Sequence, residues 1–152
     1  LTDGDTVVTE AAAIALYLAD RYAAGRLAPP IDDPRRGTYL RWSLFAPSVI
    51  EPGTLAQRSG WEFKPSQAGW GDHESMLRAM ESALAGGDFI LGDTFSLADC
   101  IFGGTIRYML RFKMIEERPA FLAYVERLTQ RPACQRADAR NAAVVAEHGL
   151  AR

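Results

Sequence analysis

The sequence predicts a mainly α-helical protein, a helical bundle preceded by one β-hairpin. Asp3-Gly4 is a strong two-residue turn signal, and the residues on either side of it suit strands. From Glu10 onward, apolar residues recur every three or four positions, which is the spacing of one helix face. The segment from Ser96 to about Phe112 is apolar around most of its circumference, and such a helix belongs at the centre of a bundle.

The first predicted helix spans residues 10–24, and Gly25 ends it. Its apolar face comprises Ala11, Ile14, Ala15, Leu18 and Tyr22. A proline-rich stretch follows, so we place a first unit at residues 1–25, a linker at 26–33 and an all-helical unit at 34–152. Because a lone hairpin is marginal in water, we expect its partner strands upstream of Leu1.

The helical unit is predicted to begin with Asp33 as an N-cap and Pro34 at the first helical position, in a helix that passes through Phe45. Pro47 and Pro52 should kink or interrupt it. Residues 59–71, rich in Gly, Pro and Trp, are predicted to form a loop or a broken helix.

Three further helices complete the unit besides the apolar one. Asp72 is predicted to cap a helix that Gly86-Gly87 stops. Pro119 and Pro132 each lie near the start of a shorter helix close to the end of the chain.

Composition narrows the range of functions. The 152 residues include 48% apolar residues, enough for a real core, and 17 basic against 19 acidic side chains give a net charge of -2. This balance argues against nucleic acid as a partner, and no apolar run reaches the length of a membrane span. Cys100 and Cys134 show no metal-ligand spacing, so we expect no metal site. We expect both to be buried or half-buried reduced thiols, which fits a cytoplasmic protein.

The stretch FSLADC, residues 95–100, carries the clearest structural motif. Ser96 can accept a hydrogen bond from the backbone N–H of Asp99, while the Asp99 carboxylate accepts one from the N–H of Ser96. This is a capping box, with Asp in place of the commoner Glu or Gln. A structural role is favoured for Asp99 over a catalytic one.

Glu10 stands where a predicted strand meets a helix, and two interpretations stay open. A carboxylate at a helix N-terminus is favourable by itself because it complements the helix dipole. Alternatively, the free N–H groups of the first turn bind an anion while the carboxylate holds an ammonium. A ligand with an amino group and a carboxylate on one carbon suits such a junction.

Three segments in order resemble one family. DGDTVVTEAAAIALYLADRY resembles the last hairpin and third helix of the thioredoxin-like domain of a cytosolic glutathione S-transferase. FILGDTFSLADCIFG is similar to the entry into the central helix of that family's all-helical C-terminal domain, and RPAFLAYVERLTQRPACQRA to its last helices. The fold class implied is a helical bundle preceded by the end of an incomplete thioredoxin-like domain.

The resemblance carries over to a few residues of the glutathione site. Glu10 matches the family's acidic contact to the γ-glutamyl end of glutathione. Ala11 stands where the family usually has Ser or Thr, so only its backbone N–H is left to bind, and Thr9 is a neighbouring candidate. Ser96 and Asp99 match the structural capping box. The catalytic residue of the family lies near the start of the thioredoxin-like domain, and is therefore expected upstream of Leu1.

By resemblance, a pocket for a hydrophobic electrophile lies between the two domains. For each residue placed there, simple packing or solvation is the alternative to substrate contact. The candidates are Tyr39, Trp42, Arg107, Tyr108 and Arg111.

The implied activity is attack of glutathione thiolate, as co-substrate, on small electrophiles, as in detoxification. The alternatives are a glutathione-binding stress or regulatory protein without turnover, and a helical interaction module. A homodimer is expected, because the helices from Glu10 and Pro34 carry more apolar surface than a small core covers, including Tyr39, Trp42 and Phe45. The sequence leaves open the electrophile, the transferase class, and whether the upstream segment is absent from the protein itself.

Overall fold

In the computed structural model, which describes residues 1–150, helices form everything except one short hairpin and the connections. The elements are β1 (Thr2–Asp3), β2 (Thr6–Val7), α1 (Ala11–Ala23), α2 (Arg36–Phe45), α3 (Glu51–Arg58), α4 (His73–Leu84), α5 (Leu97–Arg111), α6 (Pro119–Thr129) and α7 (Pro132–Glu147). No helix of this described range is long and apolar enough to cross a membrane. The predicted mainly α class is confirmed.

The hairpin at residues 1–8 is confirmed, with its turn one residue further along than predicted. β1 and β2 pair antiparallel, with Thr2 opposite Val7 and Asp3 opposite Thr6. The two turn residues are therefore Gly4 and Asp5, and Gly4 has a φ of 58°. A glycine with positive φ at the first turn position is typical of a tight hairpin whose twist matches that of its strands.

α2 begins two residues after the predicted start at Pro34. The Asp33 carboxylate accepts a hydrogen bond from the backbone N–H of Arg35 at 2.8 Å. An aspartate that binds the N–H two residues ahead closes a local turn of its own. Asp33 therefore shapes the turn before the helix, and the prediction that it is the N-cap is wrong.

The predicted interruption at Pro47 is wrong, because the helical path continues through this residue and only widens. Ala46–Ile50 forms a π-helical turn, in which the N–H of Glu51 bonds to the carbonyl of Ala46. Proline lacks the N–H of an α-turn and its ring crowds the carbonyl four residues back, so a wider turn relieves both problems. The path continues as α3, where Pro52 occupies the first turn and is tolerated.

The core lies around α5, as the sequence predicted. Phe102 on α5 is fully buried, and its ring lies 5.3 Å from that of Trp42 on α2 and 6.3 Å from that of Tyr124 on α6. At Gly103, an added Cβ would fall 2.1 Å from Cδ1 of Leu128. A side chain at this position would force Leu128 to shift, so the close approach of α5 to α6 favours a glycine here.

Other helix predictions hold with two corrections. Asp72 caps α4 by accepting from the N–H of Ser75 at 2.8 Å, as predicted. Cys134 is half-buried as predicted, but Cys100 is exposed. The last helix was expected to be short; α7 spans 16 residues, although none of them is buried.

Two buried tyrosines differ in whether their hydroxyl groups have a hydrogen-bond partner. Tyr39 is 0% exposed, and within residues 1–150 its hydroxyl has no hydrogen-bond partner. The hydroxyl of Tyr124, 1% exposed, donates to the Asp99 carboxylate at 2.8 Å. Burial raises the pKa of Tyr39 to about 12. Burial, and then the nearby Asp99 carboxylate, raise the pKa of Tyr124.

The same substitution should therefore have opposite effects at the two positions. Tyr39→Phe removes a buried group without a partner, so we expect the free energy of unfolding to stay equal or rise by about 1 kcal/mol. Tyr124→Phe takes a donor from a buried carboxylate, so we expect a loss of about 1–3 kcal/mol. Urea denaturation of both variants measures the difference.

The stability of the protein at alkaline pH provides a second test of the Tyr39 prediction. Because the pKa of Tyr39 in the folded state is about 12 against an ordinary 10.0, the unfolded chain loses this proton first. Stability should fall as the pH rises from 10 to 12, and this contribution is absent from Tyr39→Phe. A Tyr39→Phe variant that is clearly destabilised at neutral pH would show that the hydroxyl has a partner.

Candidate functional site

Glu10 occupies the junction between the hairpin and α1, and its backbone is strained. It is the N-cap of α1, with φ 64° and ψ 123°. A non-glycine residue at positive φ costs about 1–3 kcal/mol and persists only where the surrounding structure enforces it. Such outliers concentrate at functional sites, so this geometry singles out Glu10.

The Glu10 side chain is free to meet a ligand. It is exposed, does not cap the helix, and forms no hydrogen bond or ion pair within residues 1–150. The Glu10 carbonyl accepts the first bond of α1, from the N–H of Ile14 at 2.9 Å. The N–H groups of Ala11, Ala12 and Ala13 come before that bond and have no partner inside the helix.

The junction therefore combines a negative side chain with a positive helix end. Free N–H groups and the helix dipole favour an anion at the start of α1. The alanine side chains at Ala11 and Ala12 are short, and Ala11 is exposed, so a ligand can reach the backbone. Thr9 is exposed beside them. The arrangement suits a ligand that carries an ammonium and a carboxylate close together.

Asp99 is the second carboxylate at a helix start, but unlike Glu10 it is buried and fully hydrogen-bonded within the protein. It is 0% exposed, and the capping box with Ser96 is present as predicted. The Asp99 carboxylate accepts from the Ser96 N–H at 2.8 Å and from the Ser96 hydroxyl at 3.0 Å. It also accepts from the Ile90 N–H and the Tyr124 hydroxyl, each at 2.8 Å.

These four bonds give Asp99 a structural role. They join the loop before α5, the start of α5 and the middle of α6 around one buried group. A carboxylate with no exposure to solvent cannot meet a substrate. Sequence reasoning identified the box but missed Ile90 and Tyr124, since no local pattern in the sequence marks either as a partner.

The predicted pocket residues fall into two groups. Arg107, Tyr108 and Arg111 line one groove between α5 and α7, with a volume of about 630 Å³. Arg107 pairs there with Asp138 at 2.8 Å. Tyr39 and Trp42, at 0% and 6% exposure, are core residues and do not line this groove. A substrate contact by any of the five stays a prediction.

A neighbouring cavity of about 450 Å³ was not found by sequence reasoning. It lies between the linker, α5, α6 and α7, and both Cys100 and Cys134 line it. Arg107 Nη1 lies 3.4 Å from the Cys134 sulfur. No sequence signal marked this cavity, because its walls come from several separate segments that only the fold brings together.

Known proteins share this architecture. A family model, "Glutathione S-transferase, C-terminal domain", matches residues 66–127. Glutathione S-transferase GstA of Escherichia coli O157:H7 is 26% identical over 139 residues, which cover 89% of this chain and 68% of that protein.

Solved structures agree with these matches. A glutathione transferase from Methylococcus capsulatus str. Bath is 32% identical with a TM-score of 0.68, over 86% of this chain and 66% of that one. A sphingomonad glutathione S-transferase, solved in complex with glutathione, is 26% identical with a TM-score of 0.61, over 95% of this chain and 69% of that one. The chain thus spans about two thirds of the length of the relatives it matches.

The bundle around α5, with its buried capping box, has the fold of a glutathione S-transferase C-terminal domain. The hairpin and α1 precede it in the chain. The protein belongs to the glutathione S-transferase family.

Loss of the capping box should destabilise the fold in a non-additive way. We expect Ser96→Ala to cost about 1–2 kcal/mol. Asp99→Ala should cost about 3 kcal/mol or more, because it leaves several buried donors unsatisfied. The double variant should lose clearly less than the sum, since the two side chains share the same bonds. Urea denaturation measures all three.

Asp72→Ala provides the matched control, because Asp72 caps α4 at an exposed position. It should cost about 1 kcal/mol and add fully to either variant of the box. Full additivity of Ser96→Ala and Asp99→Ala would contradict the shared box.

Proposed function

We propose that the protein binds glutathione at the Glu10 junction and promotes attack of its thiolate on a small electrophile. The observation that carries the proposal is the exposed carboxylate of Glu10, held at positive φ beside the free N–H groups of α1. Membership of the glutathione S-transferase family supports it. The relative solved in complex with glutathione supports the choice of ligand.

The γ-glutamyl end of glutathione matches this junction. Its ammonium pairs with the Glu10 carboxylate, and its α-carboxylate accepts from the N–H of Ala11 at the positive end of α1. Ala11 stands where the family usually has Ser or Thr, so this contact is made by the backbone alone. Thr9 offers a nearby hydroxyl.

The chemistry requires glutathione to react as its thiolate, the nucleophilic form. Holding the thiolate and the electrophile together supplies much of the rate, because a bimolecular encounter becomes a positioned one. We assign the electrophile to the groove of Arg107, Tyr108 and Arg111. Because Arg107 is paired there with Asp138, the guanidinium group of Arg111 is the one that suits an anionic substituent.

We propose that the chain is divided into the three segments that the sequence analysis predicted. Residues 1–25 form the end of a thioredoxin-like glutathione-binding unit, 26–33 the linker, and 34–152 the helical domain. The two cysteines are free thiols, in keeping with a cytoplasmic location.

Glu10 should be needed for glutathione binding and matter little for folding. We expect Glu10→Ala to weaken glutathione about ten- to a hundredfold, because a charged partner is lost at a partly solvated site. The melting temperature should change little, since a charge at a helix start contributes only about 0.3–1 kcal/mol. Calorimetric titration and thermal melts of the full-length protein measure the two effects.

Two variants serve as controls for this prediction. Glu10→Gln should lose less, because its amide oxygen still accepts from the ammonium, and Ala11→Ser should tighten binding by adding a hydroxyl. Alanine at position 10 keeps the Cβ and hence the backbone strain, so a loss belongs to the carboxylate. Unchanged affinity in a folded Glu10→Ala protein would leave Glu10 as a helix-end charge only.

We further propose that the protein is a homodimer, through α1 and α2. Tyr39 and Trp42, which we expected on this surface, are buried in the protein's own core and are not available to a partner. The support comes instead from exposed apolar side chains: Leu18 is 37% and Tyr22 59% exposed on α1, and Leu44 is 49% exposed on α2.

A charge on this surface should dissociate the dimer. We expect light scattering at micromolar concentration to give twice the monomer mass for the full-length protein, and the monomer mass for Leu44→Glu. Leu122→Glu is the control, since Leu122 is similarly exposed on α6. A monomeric parent protein, or a dimer that survives Leu44→Glu but not Leu122→Glu, would refute the proposed surface.

A further inference from the structure

The Asp3 side chain binds three groups of α1 at once. A single carboxylate oxygen, Oδ2, accepts from the Tyr22 hydroxyl at 2.6 Å and from the Tyr17 hydroxyl at 2.7 Å. The same oxygen lies 2.9 Å from Nε of Arg21. The guanidinium group of Arg21 is 5.9 Å from the Tyr17 ring centre and 5.6 Å from that of Tyr22. We call these four residues the Asp3 clamp.

The Asp3 clamp closes a ring of structure that contains Glu10. Asp3 belongs to β1, and its partners lie on α1. The hairpin is internally bonded as far as Val8, whose N–H donates to the carbonyl of Leu1 at 3.0 Å. α1 is regular from Ala11 onward. Only Thr9 and Glu10 therefore connect two rigid bodies that the clamp holds together at another point.

This ring explains how Glu10 keeps an unfavourable backbone. Its φ of 64° would relax to an ordinary negative value if the hairpin could rotate relative to α1. The clamp prevents that rotation, because the two bodies are fixed on both sides of the junction. Strain of this kind persists only where the surroundings enforce it.

We propose that Asp3 is a positioning residue of the glutathione site, which acts by holding Glu10 in the conformation that places its carboxylate beside the first N–H groups of α1. This inference rests on the proposed function for its binding consequence. Its structural part, the dependence of the Glu10 backbone on Asp3, stands apart from any ligand. Hydrogen bonds from Tyr22 and Tyr17 lower the pKa of Asp3, so its carboxylate stays charged at neutral pH.

Opening the clamp should weaken glutathione binding while the fold survives. We expect Asp3→Ala, and separately the double change Tyr17→Phe with Tyr22→Phe, to weaken glutathione about five- to fiftyfold in the full-length protein. Asp5→Ala is the matched control, since Asp5 is an exposed carboxylate in the same hairpin with no hydrogen bond among the described residues. It should bind as the parent protein does.

A double-mutant cycle separates positioning from general destabilisation. If Asp3 acts through Glu10, then Asp3→Ala should change glutathione affinity little in a Glu10→Ala background. Equal losses in both backgrounds, or no loss in the parent background, would overturn the inference. Titrations followed by NMR chemical shifts reach the weak affinities involved.

The backbone at Glu10 provides a test without any ligand. NMR measurement of the Glu10 φ angle should give a positive value in the parent protein and in Asp5→Ala, and a negative value in Asp3→Ala. A positive φ that persists in Asp3→Ala would refute the clamp whether or not glutathione binds. A parent protein that does not bind glutathione, yet shows this change in φ, would refute only the proposed function.

Discussion

The Asp99 carboxylate, shielded from solvent, accepts four hydrogen bonds that tie the loop before α5 to α5 and α6. The rest of the bundle depends on this group because α5 is the helix against which α2 and α6 pack. A buried carboxylate is costly unless its acceptor positions are filled, so the four donors must be brought together as the core forms. The packing of the apolar core and the hydrogen bonding of Asp99 therefore require the same arrangement of helices.

Glu10 shows how the same chemistry serves a different purpose. Both residues are carboxylates at a helix start, where the helix dipole favours negative charge. Asp99 has all its partners within the fold, whereas Glu10 is exposed, strained and without a partner in the described chain. A folded protein gains little stability from an exposed, strained carboxylate without a partner, which is why we propose the Glu10 junction, and not the buried capping box, as the ligand site.

The sequence predicted those features of the fold that depend on residues close together in the chain. The capping box of Ser96 and Asp99, the cap at Asp72 and the apolar face of α5 follow from spacing within one turn or one helix. Three features depended on contacts that no spacing encodes: the bond from Tyr124 to Asp99, the burial of Tyr39, and the bonds from Tyr17 and Tyr22 to Asp3. The positive φ of Glu10 has no sequence signal, since glutamate is a poor residue for that conformation. The Glu10 site was identified from its residue type and position, but its strain and freedom needed the structure.

Asp99 thus holds the bundle together, and in the function we propose Glu10 is kept exposed for a ligand. Native-state hydrogen exchange distinguishes the two roles, because Ile90 lies outside the helices and its N–H is protected by the Asp99 side chain. We expect the Ile90 amide to exchange only through global unfolding, with or without glutathione. The Ala11 and Ala12 amides should exchange rapidly alone and slow down when glutathione is added. Rapid exchange at Ile90 would refute the structural role of Asp99, and no effect of glutathione on the first turn of α1 would refute the proposed site at Glu10.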